Sequence, residues 1–239
     1  MGKSKIYVNG KLLAEHFGGY LPVVVDVTDA LEFGKENLIA VWADNSNDPN
    51  YPPGKQQEVL DFTYFGGIYR DCWLIAHNQV FITDPNYENE EAGGGLFVAY
   101  NNVSDHSAEV LLKIQIRNSG RKAFKGVVEY ELQQPDGQQV ASLNSVIRIK
   151  PGKSTYSSDK LTVKGPMLWS PENPALYNLI VRIRDEKGNP IDGYRRRIGI
   201  RSIEFKGEDG FWLNGKPYEA PLIGANRHQD FAISGQCGT

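Results

Sequence analysis

Apolar and polar residues alternate along most of this chain with a period of two, the spacing of half-buried β-strands. Val110, Leu112, Ile114 and Ile116 mark one face of a run from Ala108 to Arg117. Val128, Tyr130 and Leu132 do so within Gly126 to Leu132, and Leu179, Val181 and Ile183 resume the alternation after Tyr177. Leu96 to Tyr100 adds a shorter strand. Turn-forming residues punctuate these runs at Pro135-Asp136-Gly137, Lys150-Pro151-Gly152 and Glu186-Lys187-Gly188-Asn189. That spacing predicts a β-sandwich of about seven strands, immunoglobulin-like in kind.

The first third reads differently. Ile6 to Val8 and Leu12 to Ala14 flank Asn9-Gly10, a strong short-range hairpin signal. An apolar run from Leu21 to Val27 follows, then Thr28, placed to cap one short helical turn before Gly34. Asn37 to Ala43 and Cys72 to Ala76 read as further strands, which makes about five between Ile6 and Val80, where a jelly roll needs about eight. Residues 44–57, DNSNDPNYPPGKQQ, predict a long surface loop, and Asp84 to Gly95 a linker. Strand edges left open by an incomplete sheet invite pairing with another copy, so a homo-oligomer is an expectation. Near the end, Phe211 to Lys216 forms a hairpin around Asn214-Gly215, and Glu219 to Gly224 a short buried strand. It runs into Asn226-Arg227-His228-Gln229-Asp230. Planar donors, a charged fork and acceptors at a strand's exit suit a polyhydroxylated ligand.

Composition narrows the partners. With 239 residues, 40% hydrophobic and 23% charged, the chain is long enough for one or two cores. A net charge of −3 with both signs interspersed gives no electrostatic reason to expect nucleic acid or an anionic membrane. No run approaches the roughly eighteen apolar residues of a membrane span, and Met1-Gly2-Lys3-Ser4 lacks a signal peptide's apolar region, so no targeting is expected. Cys72 and Cys237 are too few for a disulfide framework and lack metal-ligand spacing. Cys72 is expected as a small core or strand residue. No metal site is expected.

Four blocks, in order, carry a family resemblance. They are VNGKLLAEHFGGYLPVVVDVTDAL with DFTYFGGIYRD over residues 5–80, Leu168-Trp169-Ser170-Pro171-Glu172-Asn173-Pro174-Ala175-Leu176-Tyr177, Ile198-Gly199-Ile200-Arg201, and Gly224-Ala225-Asn226-Arg227-His228. Together they resemble glycoside hydrolase family 2, the β-galactosidase and β-glucuronidase family. The resemblance implies an all-β chain: a partial jelly-roll sugar-binding domain (1–80, its N-terminal half missing), an immunoglobulin-like sandwich (81–204), and the first strand of a truncated (β/α)₈ TIM barrel (205–239). Trp169 then reads as a structural anchor. Arg195-Arg196-Arg197 alternates faces and reads as a strand's solvated side.

The resemblance also implies the chemistry. In the β-galactosidase branch, the Asp six residues before Gly-Ile-Phe/Tyr-Arg contacts sugar hydroxyls, which points to Asp61; Asn226, Arg227 and His228 join it as substrate-binding residues. The family's two catalytic glutamates lie on later barrel strands. A barrel takes about 250 residues, and nine follow Asp230. The chain is therefore expected to be an inactive fragment of a retaining β-glycosidase, with a carbohydrate as its partner. It holds no cofactor, although the intact galactosidases often use Mg²⁺ and Na⁺. The alternative is a non-catalytic carbohydrate-binding or scaffold module.

Overall fold

The computed structural model describes residues 2–19, 21–50, 54–60, 66–68, 70–91 and 93–220. They fall into two compact units that divide between Ile75 and Ala76. Among the described residues, no helix is long and apolar enough to cross a membrane.

The first unit is built on strands β1 (Lys3–Val8), β2 (Lys11–Phe17) and β3 (Ile39–Asp44), antiparallel in the order β2-β1-β3. Asn9 and Gly10 both adopt left-handed backbone, φ 51° and 81°, as the tight β1–β2 turn requires. Asn9 does more than turn the chain. Its Nδ2 donates to the Ala30 carbonyl at 2.9 Å and to Asn37 Oδ1 at 2.8 Å, while its Oδ1 accepts from Leu38 N–H at 3.0 Å. One side chain thus ties the 30–38 return to the start of β3. Thr28 begins a 3₁₀ turn, Thr28–Ala30, but does not cap it; Asp26 Oδ1 accepts the Thr28 N–H at 2.9 Å.

Two expected strands do not appear among the described residues: Leu21 to Val27 and Cys72 to Ala76 carry no strand assignment. Cys72 is exposed, against the core position expected of it, and Trp73 beside it is 80% exposed. A strand is a property of a pair of edges, and apolar composition cannot supply the second one. Pro22 also removes a ladder donor from the first run.

The second unit is the sandwich. One sheet has the order β11 (Pro190–Ile198), β10 (Tyr177–Asp185), β7 (Phe124–Gln133), β8 (Gln139–Ile149). In the other, β6 (Ser107–Asn118) pairs along its whole length with β9 (Lys153–Lys164). Its opposite edge is shared by β4 (Val80–Ile82) and β5 (Leu96–Asn101), which follow one another along it. Eight strands therefore fill seven positions. The inward residues read from the alternation meet in one core: Val110, Leu112, Ile114 and Ile116 against Val128, Tyr130, Leu132, Leu179, Val181 and Ile183, all essentially inaccessible. Arg195, Arg196 and Arg197 are exposed on edge strand β11.

The described part of the expected linker, residues 84–91 and 93–95, instead covers the outer face of β6. Asp84 Oδ1 caps a single helical turn, Pro85–Glu88, by accepting from Asn86 and Tyr87 N–H. Thr83 Oγ1 donates to Gln115 Oε1 at 2.7 Å and accepts from Gly95 N–H at 2.9 Å. Glu88, 4% exposed, meets Arg117 Nη2 at 2.6 Å, and Tyr156 OH donates to Glu90 Oε2 at 2.8 Å. Gly94 has φ 73°, and a Cβ there would stand 2.8 Å from Pro85 Cα. The glycines at the end of the expected linker are close-packing positions.

After the sandwich come β12 (Ile203–Phe205), β13 (Phe211–Leu213) and β14 (Lys216–Pro217), a small antiparallel sheet. Asn214 and Gly215 form the expected turn, φ 53° and 74°. Glu219 and Ala220 are exposed and outside any strand. The rest of the expected Glu219–Gly224 strand, and with it the start of a barrel, lies outside the described residues.

Ile114 is fully buried at the centre of β6. Ile114→Ala is expected to lower unfolding free energy by about 2–5 kcal/mol, measured by urea titration; a loss under about 0.5 kcal/mol, the range of a surface substitution, would contradict the core described.

Candidate functional site

Asp61, Asn226, Arg227 and His228 all lie outside the described residues. What the structure shows is how the segments leading to them are held, each within its own unit.

In the first unit, the loop after β3 is built from side chains that take up backbone donors. Asp44 accepts from Ser46 N–H at 2.8 Å and from Ser46 Oγ at 3.0 Å. Asp48 accepts from Asn50 N–H at 2.9 Å. Lys3 ties the loop to β1 through Asp48 at 2.7 Å. The Lys3 ammonium and then the Asn50 N–H hold the Asp48 carboxyl below the usual range; the Ser46 donors do the same for Asp44. Further on, Gly66 lies so close to Asn45 that a Cβ on it would stand 3.1 Å from Asn45 Oδ1. Asp61 sits between the 3₁₀ turn Gln57–Val59 and this glycine in sequence.

In the second unit, the β12–β13–β14 sheet is fastened to the Trp169–Asn173 segment. Asn214 Nδ2 donates to the Trp169 carbonyl at 3.1 Å, and Asn214 Oδ1 accepts from Ser202 N–H at 3.1 Å. Tyr218 OH donates to Glu172 Oε1 at 2.8 Å. Trp169 is the anchor expected: its backbone N–H donates to the Ile200 carbonyl at 2.8 Å. The Arg201 guanidinium lies 4.8 Å from its ring centre, and a Cβ on Gly199 would reach 3.0 Å from it. Phe205, Phe211 and Tyr218 form an aromatic ladder across the sheet, with centroids 5.3 and 5.7 Å apart.

One group of polar and aromatic side chains was not anticipated. On one face of the β2-β1-β3 sheet, Trp42, Lys5 and Glu15 align across three strands, and Asp44, Lys3 and Phe17 form the next row. Between the rows lies a depression of about 220 Å³. Only the strand register joins these residues, so no local motif marks them. Among the described residues, no three His, Cys, Asp or Glu side chains converge as metal ligands do, and no step is assigned to Mg²⁺ or Na⁺.

Residues 95–201 match the family described as glycosyl hydrolases family 2. The chain is 32% identical over 233 residues to a beta-galactosidase of Thermoanaerobacter pseudethanolicus, covering 97% of this chain and 28% of that protein. It is 31% identical over 232 residues to a beta-glucuronidase of Bacteroides fragilis, covering 96% and 31%. The solved beta-glucuronidase of Bacteroides uniformis superposes with a TM-score of 0.84 at 32% identity, over 100% of this chain and 27% of that one. The chain thus spans about 30% of the length of these curated relatives. Residues 95–201 match glycosyl hydrolases family 2, and along nearly its whole length the chain is similar to these beta-galactosidases and beta-glucuronidases.

The Tyr218–Glu172 contact makes a pH-dependent prediction. The Tyr218 hydroxyl holds the Glu172 carboxyl below its ordinary range, so this stabilisation is present above the free carboxylate's pKa and lost as pH falls through the depressed value. Glu172 raises the Tyr218 phenol in turn; that stabilisation is complete below the free phenol's pKa and lost as pH rises through the raised one. At pH 7, Tyr218→Phe is expected to speed amide exchange in Phe211–Tyr218 severalfold relative to the unchanged chain. Once pH has fallen through the depressed Glu172 value the two should converge. A difference that persists there would contradict the assignment.

Proposed function

We propose that this chain is the non-catalytic, sugar-positioning part of a retaining glycoside hydrolase acting on terminal β-galactosides or a related β-glycoside. The observation that carries this is its alignment along nearly its whole length with beta-galactosidases and beta-glucuronidases, of which it spans about 30%. Identity to the two kinds is similar, 32–33% for two beta-galactosidases and 31–36% for two beta-glucuronidases, one of them putative, which is why the reading stops at the β-glycoside. Asp61, Arg227 and His228 shape the sugar subsite, through carboxylate and guanidinium hydrogen bonds to hydroxyls. Asn226 holds the loop or the sugar. The acid/base and nucleophile carboxylates, which retention requires about 5–5.5 Å apart, belong to the remainder of the enzyme. There one protonates the leaving oxygen while the other attacks the anomeric carbon; water then resolves the glycosyl ester with the first acting as base.

The test is hydrolysis of nitrophenyl β-galactoside and β-glucuronide by the 239-residue chain and by the longest open reading frame that contains it. The chain alone is expected to be silent and the longer protein active with retention. Asp61→Asn and Arg227→Ala in the longer protein should each lower kcat/KM about 10- to 1000-fold, the loss of roughly 1.4–4 kcal/mol of transition-state binding. Turnover by the 239-residue chain, or a longer protein inert on every β-glycoside, would overturn the reading. In the second case the chain is a binding or scaffold module.

A further inference from the structure

The chain contains two Asn-Gly pairs, Asn9-Gly10 and Asn214-Gly215. Glycine's unhindered backbone nitrogen can close a five-membered imide on the preceding asparagine side chain and expel its amide, with no enzyme. We infer that Asn9 is a deamidation site held shut by the fold, and that its reaction with water irreversibly unties the segment between β2 and β3.

Two features oppose the reaction in the folded chain. Ring closure brings Gly10 N onto Asn9 Cγ, so that nitrogen must lie on the same side of the Cα–C bond as Cβ. Asn9 has φ 51°, in the left-handed well where ψ is about +47° and the next nitrogen stands nearly opposite Cβ. The side chain is also tied. Its Nδ2 donates to the Ala30 carbonyl at 2.9 Å and to Asn37 Oδ1 at 2.8 Å, and its Oδ1 accepts from Leu38 N–H at 3.0 Å. Asn37 Oδ1 is itself fixed by the Glu32 N–H at 2.8 Å. Asn89 and Asn102 share the left-handed backbone, but Glu90 and Val103 follow them, and a side chain there crowds the attacking nitrogen. At Gly10 nothing lies within 4 Å of where a Cβ would stand. Asn9 is exposed, so solvent reaches it as soon as the ties open.

Water is the only reagent. Solvent base takes the Gly10 N–H proton, Gly10 N bonds to Asn9 Cγ, and the Cγ–Nδ2 bond breaks as the amide takes up a proton and leaves as ammonia. Water then opens the imide. Attack at Cγ leaves aspartate; attack at the main-chain carbonyl leaves isoaspartate, with the chain routed through Cβ and Cγ. An ionised carboxylate only accepts, so either product would set oxygen against the Ala30 carbonyl and Asn37 Oδ1, which are acceptors themselves. The ties cannot re-form. Isoaspartate also lengthens the two-residue turn that brings Val8 opposite Lys11.

The test is incubation of the 239-residue chain at mildly alkaline pH, with and without denaturing urea. The readout is the mass gain of an amide-to-acid exchange in the tryptic peptide Ile6–Lys11, with its aspartate and isoaspartate forms separated. In urea Asn9 and Asn214 should both convert; in the folded chain Asn9 should convert at least about tenfold more slowly than in urea. Asn37→Ala removes one partner of the Asn9 amide and should speed Asn9 severalfold in the folded chain. It should leave the Asn9 rate in urea and the folded Asn214 rate unchanged, since Asn214 is tied separately to Trp169 and Ser202. Asn9→Asp, the product itself, should speed amide exchange across residues 30–38 severalfold and leave β6 unchanged. Equal Asn9 rates with and without urea would overturn the proposal, and that comparison needs no variant. So would an Asn9 rate that Asn37→Ala leaves unchanged or changes only in step with Asn214, or unaltered exchange across 30–38 in Asn9→Asp. No turnover is involved, so a failed hydrolysis assay leaves this result standing, and the reverse holds equally.

Discussion

Strand β6 is bounded on every side. Its edges are hydrogen-bonded to β9 along one flank and to β4 and β5 along the other. Its inner face carries Val110, Leu112, Ile114 and Ile116 into the core, and its outer face carries Gln115 and Arg117 into the polar cover of residues 83–95. A buried backbone must satisfy each donor and acceptor, and buried polar side chains must be paired. Both conditions are met here by one strand. The two sheets, the cover and the turns at either end all take their positions from it.

The same accounting explains what the sequence disclosed. Runs with a partner on each side were legible, because alternation marks the buried face and Asn-Gly marks the turn: the core positions of β6, β7 and β10 and the turns at Asn9 and Asn214 follow directly. Leu21 to Val27 and Cys72 to Ala76 carry strand-like composition but no strand assignment among the described residues, and composition holds no record of a partner. Asp84 to Gly95 looked like a tether because glycine is permissive. Gly94 and Gly95 are used there for the opposite purpose, to let the chain pass against Pro85 with no room for a Cβ.

The candidate site divides in a similar way. Asp61, Asn226, Arg227 and His228 were read from contiguous motifs, and their residue types are what a polyhydroxylated ligand needs. Trp169 was read as an anchor from the family resemblance; its backbone bonds Ile200 and Asn214, and Arg201 stands over its ring. Trp42, Lys5 and Glu15, by contrast, come from three strands with no shared motif. Nothing short of the β1–β2 register, with its shift between Ile6 and Tyr7, would have put them in one row.

The Asn9 side chain has a consequence for how this chain can vary. It holds the Ala30 carbonyl, the Asn37 amide and the Leu38 N–H at once, so the excursion from β2 to β3 is gathered at a single knot before the strand begins. Residues inside the excursion can lengthen, shorten or be exchanged for another loop without disturbing the alignment of β3 on β1. The knot therefore acts as a splice point, where an insertion could give the sheet a new rim while its register stays fixed.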